Sequence, residues 1–262
     1  MKIFDFLNKK QSKIKITVVT CYDYTSAQIV NSSSIDAILV GDSLAMVMHG
    51  NSTTLAATES LMALHTAAVA KGAPDKFIIG DLPFLSYRKD LSSNVTAAGE
   101  LMRAGAHSVK LEGARGNLDL ISHLVDSGIP VMGHLGLTPQ SINQLGGFKV
   151  QGRTNKEQDQ LFSDSLALEK AGCFSLVLEC VPSKLAHKIS QELKIPTIGI
   201  GAGPDTDGQV LVWQDLLGMN PKFNPKFLKK YMQGFELMQS ALNSYHSEVT
   251  AGQFPTFKES YE

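Results

Sequence analysis

Five short apolar runs in the first two-thirds of the chain each stop on a residue that can bind a metal or move a proton. Ile38-Leu39-Val40-Gly41 stops on Asp42-Ser43, and Phe77-Ile78-Ile79-Gly80 stops on Asp81. Ser108-Val109-Lys110-Leu111 stops on Glu112, Val131-Met132-Gly133 on His134, and Leu176-Val177-Leu178 on Glu179. Runs of this kind read as buried strands. In a parallel β/α barrel the carboxyl ends of the strands converge on one face, and that face carries the active site. Groups far apart in sequence then become neighbours in space.

The rest of the chain fits that plan. Strand-like runs at 16–20, 36–40, 76–81, 107–112, 130–134, 174–179, 195–200 and a weaker one at 209–213 alternate with helical patterns. The helices are expected at 24–32, 60–71, from Ser92 or Ser93 to Arg103, and at 117–126, 156–170 and 182–193. A final helix or helix pair is expected over 224–247, from apolar residues at i, i+3 and i+4. Two long connections, 42–55 and 135–154, interrupt the rhythm, and loops of this length in a compact domain are often functional. Alternating strand and helix imply a parallel α/β sheet. Site-like residues end successive strands, whereas an open sheet gathers them at one switch point, so a closed barrel is preferred. One barrel takes roughly 250 residues, so residues 1–262 are expected to form a single (β/α)8 TIM-barrel domain with carboxy-terminal helices.

Composition excludes some partners. A formal net charge of −1 and the lack of a basic run give no reason to expect nucleic acid. No apolar stretch approaches the ~18 residues that span a bilayer, and residues 1–15 lack a signal-peptide core. Three cysteines, Cys21, Cys173 and Cys180, without a CxxC spacing fit reduced thiols and a cytoplasmic setting.

Asp42, Asp81 and Glu112 end three consecutive strands. Three converging carboxylates repel unless a cation or protons compensate. Hard oxygen donors with open positions suit Mg²⁺, so these three are the expected metal ligands. Lys110 lies two residues before Glu112 and points to the same side of its strand, where it can neutralise a bound carboxylate or enolate. Ser43 offers a hydroxyl and a backbone N–H beside Asp42. Glu179, on a separate strand, is the carboxylate left over for general-base work. His134 is expected in a supporting role behind these groups. An ion chelated by an α-keto acid acidifies the neighbouring C–H, and the parts fit Mg²⁺-stabilised enolate chemistry with an undetermined electrophile.

As an ordered set, several segments resemble one family. They are Val40-Gly41-Asp42-Ser43-Leu44, His65-Thr66-Ala67-Ala68-Val69, Gly80-Asp81-Leu82-Pro83-Phe84 and Val109-Lys110-Leu111-Glu112-Gly113. Gly133-His134-Leu135-Gly136-Leu137-Thr138-Pro139-Gln140, Lys149-Val150-Gln151-Gly152-Arg153, Leu178-Glu179-Cys180-Val181-Pro182 and Gly199-Ile200-Gly201-Ala202-Gly203 complete it. The chain resembles the 3-methyl-2-oxobutanoate (ketopantoate) hydroxymethyltransferase family from about residue 20 to residue 213. The resemblance implies a barrel of the phosphoenolpyruvate mutase/isocitrate lyase type. It implies Mg²⁺ at Asp42, Asp81 and Glu112, the keto acid α-ketoisovalerate held by Asp42, Ser43, Asp81 and Lys110, and Glu179 as base at its branched carbon. It also implies 5,10-methylenetetrahydrofolate as one-carbon donor, ketopantoate as product in pantothenate and coenzyme A biosynthesis, and a cytoplasmic homo-oligomer, commonly a decamer. The alternative is a Mg²⁺-dependent keto-acid lyase or mutase of the same superfamily, against which Leu82-Pro83-Phe84 argues.

Overall fold

In a computed structural model that describes residues 1–261, eight parallel strands close into a barrel in sequence order. They are β1 (Ile16–Thr20), β2 (Ala37–Val40), β3 (Phe77–Asp81), β4 (Ser108–Glu112), β5 (Val131–Gly136), β6 (Ser175–Glu179), β7 (Thr197–Ile200) and β8 (Gly208–Leu211). β8 pairs back onto β1, with Ile16 opposite Gly208 and Val18 opposite Val210, so no edge is left open. Each expected strand is present, and β5 runs two residues further than its pattern shows.

Helices cover the barrel between strands β1 to β7, while a turn alone joins β7 to β8, and several helix starts are written locally. Asp23 accepts the N–H of Ser26, Thr58 that of Leu61, and Asp90 that of Ser93, so each caps a helix. The cap at 90 replaces the one expected at Ser92 or Ser93. Thr154 and Glu157 form a reciprocal capping box at the start of Asn155–Lys170. The two long connections carry short elements of their own: a helical turn Leu44–Val47 and a 3-10 turn Thr54–Ala56 after β2, then Pro139–Ser141 and Ile142–Leu145 after β5.

Alternate residues of a strand face the same side. Ile16 and Val18, Ala37 and Leu39, Phe77 and Ile79, Met132, Val177, Ile198 and Val210 form one apolar cluster inside the barrel. The amino-terminal helix Ile3–Gln11 supplies its plug. Phe6, fully buried, meets Phe77 and Phe174 edge-on, each with ring centroids 5.1 Å away. Lys10 pairs with Asp207 at 2.8 Å and Lys9 with Asp36 at 2.5 Å, which fastens the plug at its rim. Continuing each strand in the same phase leads from this floor to Asp81, to Lys110 and Glu112, to His134 and to Glu179.

Met1–Val212 forms one compact unit and the residues from Trp213 on form a second. In the second, the final helix is Gly234–Thr250, not a helix from 224. The apolar spacing at Phe227, Leu228, Tyr231 and Met232 mimics a helix. Pro225 biases Asn224 away from helical backbone, and the segment bonds elsewhere. Tyr231 N–H donates to Leu216 and Gly234 N–H to Leu217, which replaces an i−4 ladder of its own. Among the described residues no helix is long and apolar enough to cross a membrane.

Candidate active site

The register places Asp81 of β3 opposite Lys110 of β4, and Glu112 opposite His134 of β5. Lys110 Nζ lies 3.0 Å from Asp81 Oδ2, with both side chains buried. Burial opposes a lysine's charge, yet Asp81, Glu112 and Asp42 outweigh it and hold Lys110 above the usual lysine range. Asp81 shows the converse: burial lifts its carboxyl above the usual range although Lys110 pulls it down.

Asp42 stands just past the end of β2. Its backbone N–H donates to Asp81 Oδ2 at 3.1 Å, and its own Oδ2 accepts from Gln140 Nε2 at 2.8 Å. Burial, then the charges of Asp81 and Glu112, push the Asp42 carboxyl up to about 8. The preceding residue leaves little room: a Cβ on Gly41 would meet Ser43 Oγ at 2.8 Å and force that hydroxyl to shift. Ser43 in turn shares a 2.8 Å hydrogen bond with the buried Tyr22 hydroxyl.

His134 sits between two carboxylates. Its Nδ1 is 3.2 Å from Glu112 Oε1 and its Nε2 is 3.2 Å from Glu179 Oε2. These are ion-pair distances without hydrogen-bond alignment. Burial and Lys110 pull the imidazole down, and Glu112 and Glu179 pull it up further, to about 9, so it is charged at neutral pH. Glu179 differs from its neighbours in reach: its side chain is 18% exposed, against 2–4% for Asp81, Lys110, Glu112 and His134. It is the ionisable group of this cluster that a molecule at the barrel mouth touches most readily.

All seven residues singled out from sequence, Asp42, Ser43, Asp81, Lys110, Glu112, His134 and Glu179, therefore end on one rim. Three further residues knit them together. The Gln140 N–H donates to Glu112 Oε2 at 3.0 Å, while its Nε2 also donates to Leu82 O at 2.9 Å. Tyr87 donates to Gln140 Oε1 at 2.6 Å and accepts from Glu112 N–H at 3.3 Å. Tyr22, Tyr87 and Gln140 lie in connections without periodicity. The one sequence signal that touches them is the segment Thr138-Pro139-Gln140. Backbone strain gathers at the same rim. Leu85 (φ 62°) follows β3 and Cys180 (φ 47°) follows Glu179, both left-handed without being glycine.

Among the described residues no three His, Cys, Asp or Glu side chains are gathered closely enough to hold a metal ion by themselves. Two buried oxygens of the cluster, Asp81 Oδ1 and Glu112 Oε1, nevertheless have no hydrogen-bond partner. As hard carboxyl oxygens without a hydrogen bond, they are donors of the type that Mg²⁺ takes.

A family model described as ketopantoate hydroxymethyltransferase matches residues 1–257. A 3-methyl-2-oxobutanoate hydroxymethyltransferase of Bdellovibrio bacteriovorus is 65% identical over 259 residues, covering 99% of this chain and 98% of the relative. One of Coxiella burnetii is 59% identical over 252 residues, covering 96% and 95%. Among solved structures, a 2,3-dimethylmalate lyase described as a PEP mutase/isocitrate lyase superfamily member superimposes with a TM-score of 0.62 at 14% identity, covering 99% of this chain and 91% of that one. A phosphonopyruvate hydrolase in complex with oxalate and Mg²⁺ gives 0.63 at 11% identity, covering 99% and 93%. The second pair shows the barrel type, and the first pair shows more: the chain is an enzyme of the ketopantoate hydroxymethyltransferase family.

Proposed function

We propose that the chain transfers a hydroxymethyl unit from 5,10-methylenetetrahydrofolate to 3-methyl-2-oxobutanoate, giving 2-dehydropantoate for pantothenate biosynthesis, at the rim that holds Asp42, Asp81, Lys110, Glu112, His134 and Glu179. The observation that carries this reading is the ordering of exposure at the mouth: a buried set of carboxylates paired with one lysine, with a single more accessible glutamate beside them. The keto acid's head groups need the first, and its C–H needs the second.

Asp42, Asp81 and Glu112 are the residues that would hold Mg²⁺. Too few protein donors converge to complete a shell, which suits an ion that keeps waters and takes substrate oxygens. Bound there, Mg²⁺ supplies Lewis-acid polarisation of the keto acid's carbonyl. Lys110 offers positive charge to the substrate carboxylate, and Ser43, fixed by Tyr22, offers a hydroxyl. Glu179 accepts the proton from the branched carbon on its carboxylate. His134, charged and 3.2 Å from Glu179 Oε2, fixes that carboxylate and steadies the shift of charge. No group in the cluster is assigned to the folate. That partner, the cytoplasmic setting and a homo-oligomeric state rest on the family resemblance.

Incubation with Mg²⁺ and 3-methyl-2-oxobutanoate in D₂O tests the proton step apart from the transfer step. Deuterium at the branched carbon, lost in Glu179→Gln, is expected. Exchange that persists in the variant removes Glu179 as base. Ketopantoate formation from labelled methylenetetrahydrofolate tests the donor.

A further inference from the structure

Outside the carboxylate cluster, two histidines meet that have no role in the chemistry above. His49 lies on the connection after β2, and His65 on the helix Glu59–Gly72. Their Nε2 atoms are 3.0 Å apart. His65 Nδ1 lies 2.5 Å from the backbone carbonyl of Tyr22. A carbonyl only accepts, so Nδ1 of His65 carries the proton and Nε2 presents its lone pair outward. A backbone carbonyl that fixes the tautomer in this way is the support that metal-ligating histidines ordinarily have.

We propose that His49 and His65 form a chelating pair for a transition-metal ion of the Zn²⁺ class, separate from the oxygen cluster at the barrel mouth. Imidazole nitrogen selects Zn²⁺, Cu²⁺ or Ni²⁺ over Mg²⁺, whereas Asp42, Asp81 and Glu112 offer only hard oxygen. Two nitrogens sharing a tetrahedral Zn²⁺ at ~2.0–2.1 Å stand roughly 3.3 Å apart; with the ring centroids 5.3 Å apart the two nitrogens now face each other head-on, so the His49 ring has to swing aside as well as open by a few tenths of an ångström. His49 is exposed and can move that far. In the free pair His49 Nε2–H donates to His65 Nε2. On chelation that proton passes to His49 Nδ1 through solvent, and both rings bind neutral. No third His, Cys, Asp or Glu among the described residues joins them, so water fills the remaining positions and the ion stays exchangeable.

Chelation would staple the segment that follows Asp42-Ser43 to the helix Glu59–Gly72. The staple lies next to the substrate groups through one residue. Tyr22 gives its carbonyl to His65 and its hydroxyl to Ser43.

The test is titration of the full-length protein with ZnCl₂ under excess Mg²⁺, in the wild type, His49→Ala, His65→Ala, His246→Ala and Asp81→Asn. One Zn²⁺ per chain is expected. Binding should weaken at least tenfold in His49→Ala and in His65→Ala, and stay unchanged in His246→Ala and Asp81→Asn. His49→Ala alters an exposed side chain, so its fold is retained, and a far-ultraviolet spectrum checks it. In parallel, Zn²⁺ should slow proteolysis within residues 44–51 in the wild type and not in His49→Ala. Equal Zn²⁺ binding in wild type and His49→Ala overturns the proposal. So does binding that disappears only in Asp81→Asn, which would assign the ion to the carboxylates.

Discussion

The same strands build two unlike ends of one barrel. At the floor, Ile16, Val18, Leu39, Phe77, Ile79 and Val177 pack with Phe6 in one apolar cluster. At the mouth, a few residues further along the same phase, the ionisable side chains of Asp81, Lys110, Glu112 and His134 are equally buried. Burial alone therefore does not distinguish core from site. The floor gains stability by removing apolar area from water. The mouth spends part of that gain to hold groups in states they would not keep in solution.

The sharpest way to break this contrast is a single substitution at each end. At the mouth, Glu179→Gln should lower deuterium exchange into 3-methyl-2-oxobutanoate by about 10²–10⁴-fold, the span of general-base catalysis, with little change in melting temperature. At the floor, Phe6→Ala should cost about 3–5 kcal/mol of stability by denaturant unfolding, with exchange per folded molecule unaltered. If Phe6→Ala slowed exchange as much as Glu179→Gln does, the two ends would not be separable.

Gln140 tests how the mouth holds together. Gln140→Ala leaves the buried Asp42 carboxylate without its donor and Tyr87 without its acceptor. About 1–3 kcal/mol of stability should be lost, and Mg²⁺ affinity should change with it, since Asp42 loses its orientation. Unchanged metal titration in that variant would confine Gln140 to packing.

What sequence could show follows the same line. Strand phase and apolar runs are local signals, so the eight strands and the groups that end five of them were legible, and the barrel followed from their order. Tyr22, Tyr87 and Gln140 were not legible, because hydrogen bonds across connections of 53 residues (Tyr87 to Gln140) or 98 residues (Gln140 to Asp42) leave no periodic trace. His134 is expected from sequence only in a supporting role. Its charge arises from Glu112 and Glu179 flanking it, a fact of register rather than of spacing. The helix expected from 224 failed where apolar spacing outvoted Pro225, and backbone bonding to residues 216–218 took over.

The two ends should also answer to pH with opposite signs. At the mouth, the folded state holds protons that the unfolded chain releases earlier, with Asp42 raised from 3.8 to about 8 and His134 from 6.5 to about 9. Their contribution is complete below the unfolded values and is lost as pH rises through about 8 to 9. Without Mg²⁺, the mouth's contribution to the melting temperature should therefore fall from about pH 4, where Asp42 begins to differ, to about pH 9, where His134 ceases to, and Mg²⁺ should flatten that fall by replacing protons at the carboxylates. At the floor, burial raises Asp36, but Lys9 and Thr17 hydrogen bonds outweigh it and hold the carboxyl below its ordinary 3.8. That contribution is present above 3.8 and is lost as pH falls through the lower folded value. The Lys9–Asp36 contact, at 2.5 Å, is shorter than Lys110–Asp81 at 3.0 Å, yet its side chains are 26% and 16% exposed against 4% and 2%. Distance does not set the worth of a pair when water competes for one and not for the other. Lys9→Met should cost no more than about 1 kcal/mol at pH 7 and should flatten only the acid limb of the stability curve. A loss on the alkaline limb instead would mean that floor and mouth titrate as one network.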